Sequence, residues 1–280
     1  MIAGAAARLA EGTLSHLPSS LEVPIAMLGG AIAYRTSATA RDAVRENLSI
    51  AVPERADRER LVRRTFVEQV RNYIEIFRLA RLDHEKIRRT VVTTDWERFV
   101  AAVARGHGVI LASGHVGPVS FCGQVIAANG YEITLPIENE TGEIARAVNR
   151  ARTRMGLHFV ETDSALGIAR ILKRGGILGV LADRAITGVG ERVPFFGRPA
   201  LLPSAHVALA LRTGAALMPA FAHREGNVIR AVFEPELELP RTGDRDADVR
   251  EGVRRWAEVL ERHIRVAPEQ WSVFEPVWRR

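Results

Sequence analysis

Among the eight histidines of this 280-residue chain, His115 is the best placed for proton transfer. It lies in "GVILASGHVGPVSFCG", residues 108 to 123, after a continuous apolar run and between Gly114 and Gly117. Glycines after a buried strand let the backbone approach a ligand closely. Imidazole is also the side chain whose ordinary pKa suits proton transfer near neutrality, which makes His115 the candidate general base. Five residues on, where a carboxylate would orient that base, stands Ser120. A serine hydroxyl can accept a hydrogen bond from the ring and fix its tautomer, our preferred reading of Ser120, but it supplies no negative charge. A second reading makes Ser120 a nucleophile with His115 as its base, and a third makes it a remnant.

Two further stretches carry chemistry. In "DRAITG", Asp183 and Arg184 follow the apolar strand "ILGVLA" directly. They read as a loop cap and a surface cation, or together as a cradle for an oxyanion or phosphate. In "VPFFGRPALLPS", Phe195, Phe196 and Gly197 read as an apolar hairpin or pocket wall, with Arg198 in reach of a phosphate. The chain has no GxGxxG after a strand, no P-loop, no HExxH and no G-x-S-x-G elbow, so nucleotide, zinc-protease and hydrolase-elbow readings lack support. Cys122 is the only cysteine, which excludes an internal disulfide framework and a cysteine-rich zinc site. We expect no metal and no cofactor, and a reducing, cytoplasmic setting.

All but Lys86 and Lys173 of the 39 basic residues are arginine, and the net charge is +6. Arginine favours bidentate contacts to phosphate and carboxylate. The balance suits phosphate-bearing partners such as anionic lipid, coenzyme A or an acidic carrier protein; nucleic acid is not the expected partner. The best membrane candidate, Val23 to Tyr34, falls short of the ~20 residues a spanning helix needs. Pro24 and the Gly29-Gly30 pair also mark it as a packed or interfacial helix rather than a span. No secretory signal is read at the N-terminus.

The elements that must position these residues divide the chain in two. Residues 1–105 read as an N-terminal helical region. Val67, Val70, Tyr73, Ile74 and Phe77 recur at helical spacing, and Arg63, Arg64, Arg71 and Arg78 form a solvated opposite face. A further helix should begin near Thr94 or Asp95. Residues 106–280 alternate apolar runs with helical stretches, including an Arg-rich helix after Thr141 and one capped by Asp163 or Ser164. That alternation predicts an α/β core: a central, mostly parallel sheet flanked by helices. Ligands collect outside the carboxyl ends of such strands, which is where His115 and Asp183 fall.

In their order, "NLSIAVPE", "GHGVILASGHVGPVS", "GVLADR", "VPFFGRPALLP", "ALALRTGAALMP" and "VAPEQW" resemble the bacterial lipid A biosynthesis (lauroyl/myristoyl) acyltransferases. They also resemble the related mannoside acyltransferases of the glycerolipid acyltransferase superfamily. The likeness covers most of the chain. It implies acyl transfer from an acyl-carrier-protein or acyl-coenzyme A thioester to a hydroxyl or amine on a lipid or small molecule. It further implies His115 as base, with Gly114, Gly117, Asp183, Arg184, Phe195, Phe196 and Arg198 near donor or acceptor, and peripheral contact at the inner membrane face.

The departures are specific. The acid of the family's H-x4-D/E motif is Ser120 here, the aromatic before it is Val119, and the glutamate that precedes "FFG" in the mannoside branch is Arg192, beside Glu191. Three functions fit this pattern. One is a diverged acyltransferase in which His115 is the base, and in which Glu138, Glu140 or Glu191 could restore the carboxylate. The second is a Ser120/His115 thioesterase or covalent transferase, and the third a non-catalytic acyl- or lipid-binding homologue.

Overall fold

The structure is a computed structural model that describes residues 12–14, 16–79, 82–137, 149–151, 153, 156–161, 165–185 and 188–279. Most of the Arg-rich helix after Thr141, the cap at Asp163 or Ser164, and both Glu138 and Glu140 lie outside the described residues.

Its centre is a seven-stranded sheet. In chain order the strands are β1 (Val91–Thr94), β2 (Val109–Ser113), β3 (Ile133–Ile137), β4 (His158–Glu161), β5 (Ile177–Leu181), β8 (Ala216–Glu225) and β9 (Val228–Phe233). Across the sheet the order is β1-β9-β8-β2-β5-β3-β4. All neighbours pair in parallel except β8 with β9, so β9 and β1 run opposite to the other five. The mostly parallel α/β architecture is the expected one. Every residue of β2 is buried, as a strand covered on both faces requires. One core, including Ile110, Leu178, Trp256 and Leu260, lies on one face; a second, including Leu111, Phe99, Ile126 and Ile133, lies on the other.

The expectation of an all-helical N-terminal region fails at β1. Val91–Thr94 forms a strand that pairs with β9, directly after α4 (His84–Thr90) and before α5 (Trp96–Ala104). Four residues of "VVTT" carry too little periodicity to declare a strand on their own; β9 supplies the partner that makes one.

Three helices precede it: α1 (Ser19–Thr36), α2 (Ala38–Ala51) and α3 (Arg58–Leu79). Helix α1 lies so close to α3 that a Cβ on Gly30 would stand 2.7 Å from the Val67 Cα. One side of α1 is packed through Ala26 and Gly30, while Leu21, Val23, Met27, Leu28 and Ile32 are exposed on the rest. No described helix is long and apolar enough to cross a membrane. The arginine face of α3 is only partly solvated. Arg71 and Arg78 turn onto the buried Glu22 of α1. On the same stretch of α3, Arg224 of β8 reaches across from the sheet. Its Nη2 donates to Glu75 at 2.8 Å and to Asn72 at 3.2 Å, and its Nε donates to Glu68 at 3.0 Å.

After β5 comes the antiparallel hairpin β6 (Glu191–Phe195) and β7 (Arg198–Leu202), the apolar hairpin read from "VPFFGRPALL". Its turn has positive φ at both Phe196 (50°) and Gly197 (73°), the geometry of a two-residue turn that matches strand twist. Phe196 is held there by its N–H, which donates to Glu261 at 2.5 Å, and by Arg265 over its ring. The chain continues through α8 (Ala205–Thr213) and the β8–β9 hairpin to α9 (Arg245–Val266) and a short 3-10 turn, Pro268–Gln270. Helices α6 (Ser120–Ala128) and α7 (Ala165–Lys173) complete the described set.

Candidate active site

In the parallel register Ser113 of β2 faces Leu181 of β5. Two residues past each partner stand His115 and Asp183, so the register itself carries the two side chains off the carboxyl edge together. The Nδ1 of His115 lies 2.7 Å from Asp183 Oδ1, and the His115 backbone N–H donates to Asp183 Oδ2 at 2.8 Å. The Trp271 indole N–H donates to that second oxygen at 3.2 Å.

Asp183 is fully buried. Burial by itself pushes its carboxyl up, but the His115 charge, the ring and backbone donors of His115 and the nearby Arg184 together hold it below the usual carboxylate range. An ionised Asp183 makes Nδ1 the protonated ring nitrogen and leaves the Nε2 lone pair directed away from it. That lone pair meets Arg184, whose Nη2 is 3.2 Å away. Arg184 also faces Glu275, at 3.6 Å.

The glycines make this geometry accessible. A Cβ on Gly114 would sit 3.2 Å from Asp183 Oδ2 and 2.9 Å from Leu260, so a side chain there would crowd the carboxylate. Gly117 has φ of +62°, and a Cβ on it would fall 2.1 Å from the Ala222 carbonyl. The C-terminal segment straps the loop in place. Gly117 N–H donates to the Gln270 carbonyl at 2.8 Å, and Ser272 N–H donates to the His115 carbonyl at 2.8 Å. The Gln270 side chain in turn exchanges two hydrogen bonds with the Arg224 backbone.

The carboxylate paired with His115 is therefore Asp183. Ser120 opens α6 and lines the adjacent cavity, but tautomer fixing, the role preferred for it from sequence, falls to the carboxylate that binds Nδ1. Glu191 is no replacement acid, since it pairs with Arg250. The structure gathers His115, Gly114, Gly117, Asp183 and Arg184 and places Ser120 close by. It does not bring Phe195, Phe196 or Arg198 to the cavity wall. Phe195 is fully buried, stacks on Trp278 and lies edge-on to Trp271, beneath the residue that holds Asp183. Arg198 is exposed at the hairpin. Sequence reasoning missed Trp271 and Gln270. Their only signal was the block "VAPEQW", whose purpose appears once its strand-like contact with Val116 is seen.

A cavity of about 1140 Å³ opens beside His115. On the α3 and α6 face its wall is mostly apolar, with Leu111, Cys122, Ile126, Ile133 and Leu135. Cys122 is no rival nucleophile, because burial pushes its thiol up to about 12. A histidine with a paired carboxylate, a cation beside its free nitrogen and a largely apolar cavity is an arrangement able to take a proton from an acceptor held beside an apolar group. No group of residues able to hold a metal ion occurs among the described residues.

Comparison with known proteins identifies relatives along most of the chain. The chain is 26% identical over 245 residues to a phosphatidylinositol mannoside acyltransferase of Mycobacterium tuberculosis (strain ATCC 25618 / H37Rv), covering 84% of this chain and 76% of that protein. It is 26% identical over 224 residues to the enzyme of that name from Mycolicibacterium smegmatis, covering 78% and 72% respectively. A family model for the bacterial lipid A biosynthesis acyltransferases matches residues 10–280. With the family model matching nearly its whole length, the chain belongs to the bacterial lipid A biosynthesis acyltransferase family and is an acyltransferase.

Proposed function

We propose that the chain moves an acyl group from an acyl-carrier-protein or acyl-coenzyme A thioester to a hydroxyl or amine acceptor on a lipid or small molecule, with His115 as general base. The observation that carries this reading is the 2.7 Å contact between His115 Nδ1 and the buried Asp183, which restores the carboxylate missing at position 120. The acceptor's proton passes to His115 Nε2 as its oxygen or nitrogen attacks the thioester carbonyl. Asp183 stabilises the imidazolium that results. Arg184 leaves Nε2 to the acceptor and turns its donors onto the developing oxyanion. The C–S bond then breaks, and the thiolate recovers the proton from His115.

The competing covalent route is tested at Ser120. Ser120→Ala is expected to lower thioester consumption by less than about tenfold, against the 10²–10⁴-fold contribution of a general base. Loss of all turnover, together with an acyl adduct on Ser120 in the wild type by mass spectrometry, would transfer the chemistry to that serine.

Contact with a lipid surface would be made through α1. A helix apolar on all sides is normally covered on all sides, yet Leu28 and Ile32 are 65% and 54% exposed. Replacing both by Asp removes roughly 3 kcal/mol or more of apolar burial on docking. Cosedimentation with anionic vesicles should then fall by on the order of a hundredfold. Unchanged cosedimentation would remove α1 from the docking surface.

A further inference from the structure

The cavity does not stop at the apolar face. Its wall also includes Ile168, Leu178 and Val180, which belong to the core on the opposite side of the sheet, and then His206, Arg212 and Arg245. The cavity therefore wraps the carboxyl edge at His115 and runs down the α7 and α8 face. Helix α8 sets the length of this second arm. Its last turn leads into Ala216, whose N–H donates to the Gly108 carbonyl at the amino edge of the sheet. Six helical steps thus carry the arm about 9 Å from His206 near the edge to Arg212. Arg245 joins Arg212 there, because Arg241 ties the loop before α9 to the Leu211 carbonyl.

Three features of this arm are unexplained by packing. His206 is 2% exposed, and neither ring nitrogen has a hydrogen-bond partner. Buried polar groups are ordinarily paired, so an orphaned imidazole on a cavity wall points to a ligand. Burial pushes its pKa down to about 3, which leaves the ring neutral, with one donor and one acceptor. At the far end, Arg212 and Arg245 are exposed and have no ion-pair or hydrogen-bond partner among the described residues. The acids beside them are partly engaged: Asp244 caps α9 through Ala247, and Asp248 accepts from Thr242. Asp246 is exposed in the same turn.

We propose that this arm is a second binding track that receives the phosphopantetheine arm of the thioester donor, with His206 hydrogen-bonded to an amide of that arm and Arg212 and Arg245 on its phosphate. The inference rests on the thioester chemistry assigned to His115 above. A secondary amide offers one N–H and one carbonyl, the complement of a neutral imidazole. A phosphate matches paired guanidinium groups. An acyl chain in this arm would leave His206 unpaired, whereas the opposite arm, with its apolar wall, suits that chain. Among its polar wall residues, Asn72 and Glu75 are already engaged, with the Gly117 carbonyl and Arg224. The thioester carbon then sits at the bend, beside His115.

The test uses the full chain and two soluble probes, 4′-phosphopantetheine and pantetheine, by titration calorimetry. The phosphorylated probe is expected to bind at least about tenfold tighter, and R212A/R245A should bring the two to parity. His206→Leu should weaken both probes alike with little change in melting temperature, because the leucine replaces an unpaired polar group and keeps an apolar contact where the His206 ring lies edge-on to Trp256 at 5.5 Å. Equal binding of the two probes by the wild type, or a preference that survives R212A/R245A, would overturn the proposal. So would glycerophosphoinositol binding through these arginines in place of phosphopantetheine, which would assign the track to an acceptor headgroup. His115→Ala separates the two readings. It should bind phosphopantetheine as the wild type does while consuming no thioester. Thioester turnover with no dependence of probe binding on the arginines sinks only the track, and arginine-dependent binding without turnover sinks only the catalytic reading.

Discussion

Asp183→Asn should lower turnover of acyl thioester by on the order of 10³-fold while leaving the fold intact. The substitution keeps size and shape but removes the charge. The amide can still accept from the His115 backbone N–H and Trp271 through its oxygen, which occupies the Oδ2 position. Its NH₂ group then faces His115 Nδ1, so the ring must present a lone pair there and carry its proton on Nε2. The base atom becomes a donor, and it points at the Arg184 Nη2 donor that lies 3.2 Å away in the wild type. In a serine protease the equivalent aspartate-to-asparagine change costs about 10⁴ in turnover through the wrong tautomer. A thioester is easier to attack than an amide, so the smaller figure applies. Nitrogen NMR of the imidazole reads the tautomer directly: Nδ1–H in the wild type, Nε2–H in the variant. Combining Asp183→Asn with His115→Ala should cost little more than His115→Ala by itself, since residues that act as a unit are not additive. Retention of more than about a tenth of wild-type turnover in the asparagine variant would end the assignment of Asp183 as the orienting acid.

The second large effect is on stability. Arg224→Ala should destabilise the protein by about 3–5 kcal/mol, because it strands Glu68 and leaves the buried Glu75 only Arg71, 3.7 Å away and shared with Glu22. Arg224 is buried, and the Glu75 side chain beside it is only 7% exposed. Burial already pushes the Glu75 carboxyl up against the downward pull of Arg224, so removing the arginine leaves protonation as its main relief. A melting-temperature fall of roughly 10 °C would report the loss. Replacing both partners by apolar residues, as in Arg224→Met with Glu75→Leu, should recover much of it, since the penalty comes from the unpaired charge rather than from the loss of the pair. Turnover should fall in Arg224→Ala as well. Asn72, which Arg224 holds, donates to the Gly117 carbonyl at 3.2 Å, and Gln270, tied to the Arg224 backbone, carries the strap over the His115 turn. A melting curve unchanged by Arg224→Ala would show that α3 is held on the sheet by packing without help from these charges.

Much of the site was legible one segment at a time. "GVILASGHVGP" declares a buried strand, a glycine turn and a histidine because apolar runs and glycines act locally. The strand is buried throughout, and Gly117 has the positive φ of a glycine turn. The hairpin of "VPFFGRPALL" was legible for the same reason: its turn chemistry lies within four residues.

What the chain alone could not disclose was which segments become neighbours. Asp183 and His115 are 68 residues apart, and they meet only because β5 inserts beside β2 in a register that aligns Ser113 with Leu181. Position 120, five residues past His115, holds a serine; the carboxylate comes instead from the end of the neighbouring strand. Trp271 and Arg224 were hidden likewise, because their partners lie 88 and 149 residues away. Local composition determined the strands, the turns and the kind of chemistry available. Strand order and register, set by burial of both sheet faces at once, decided which carboxylate meets the base.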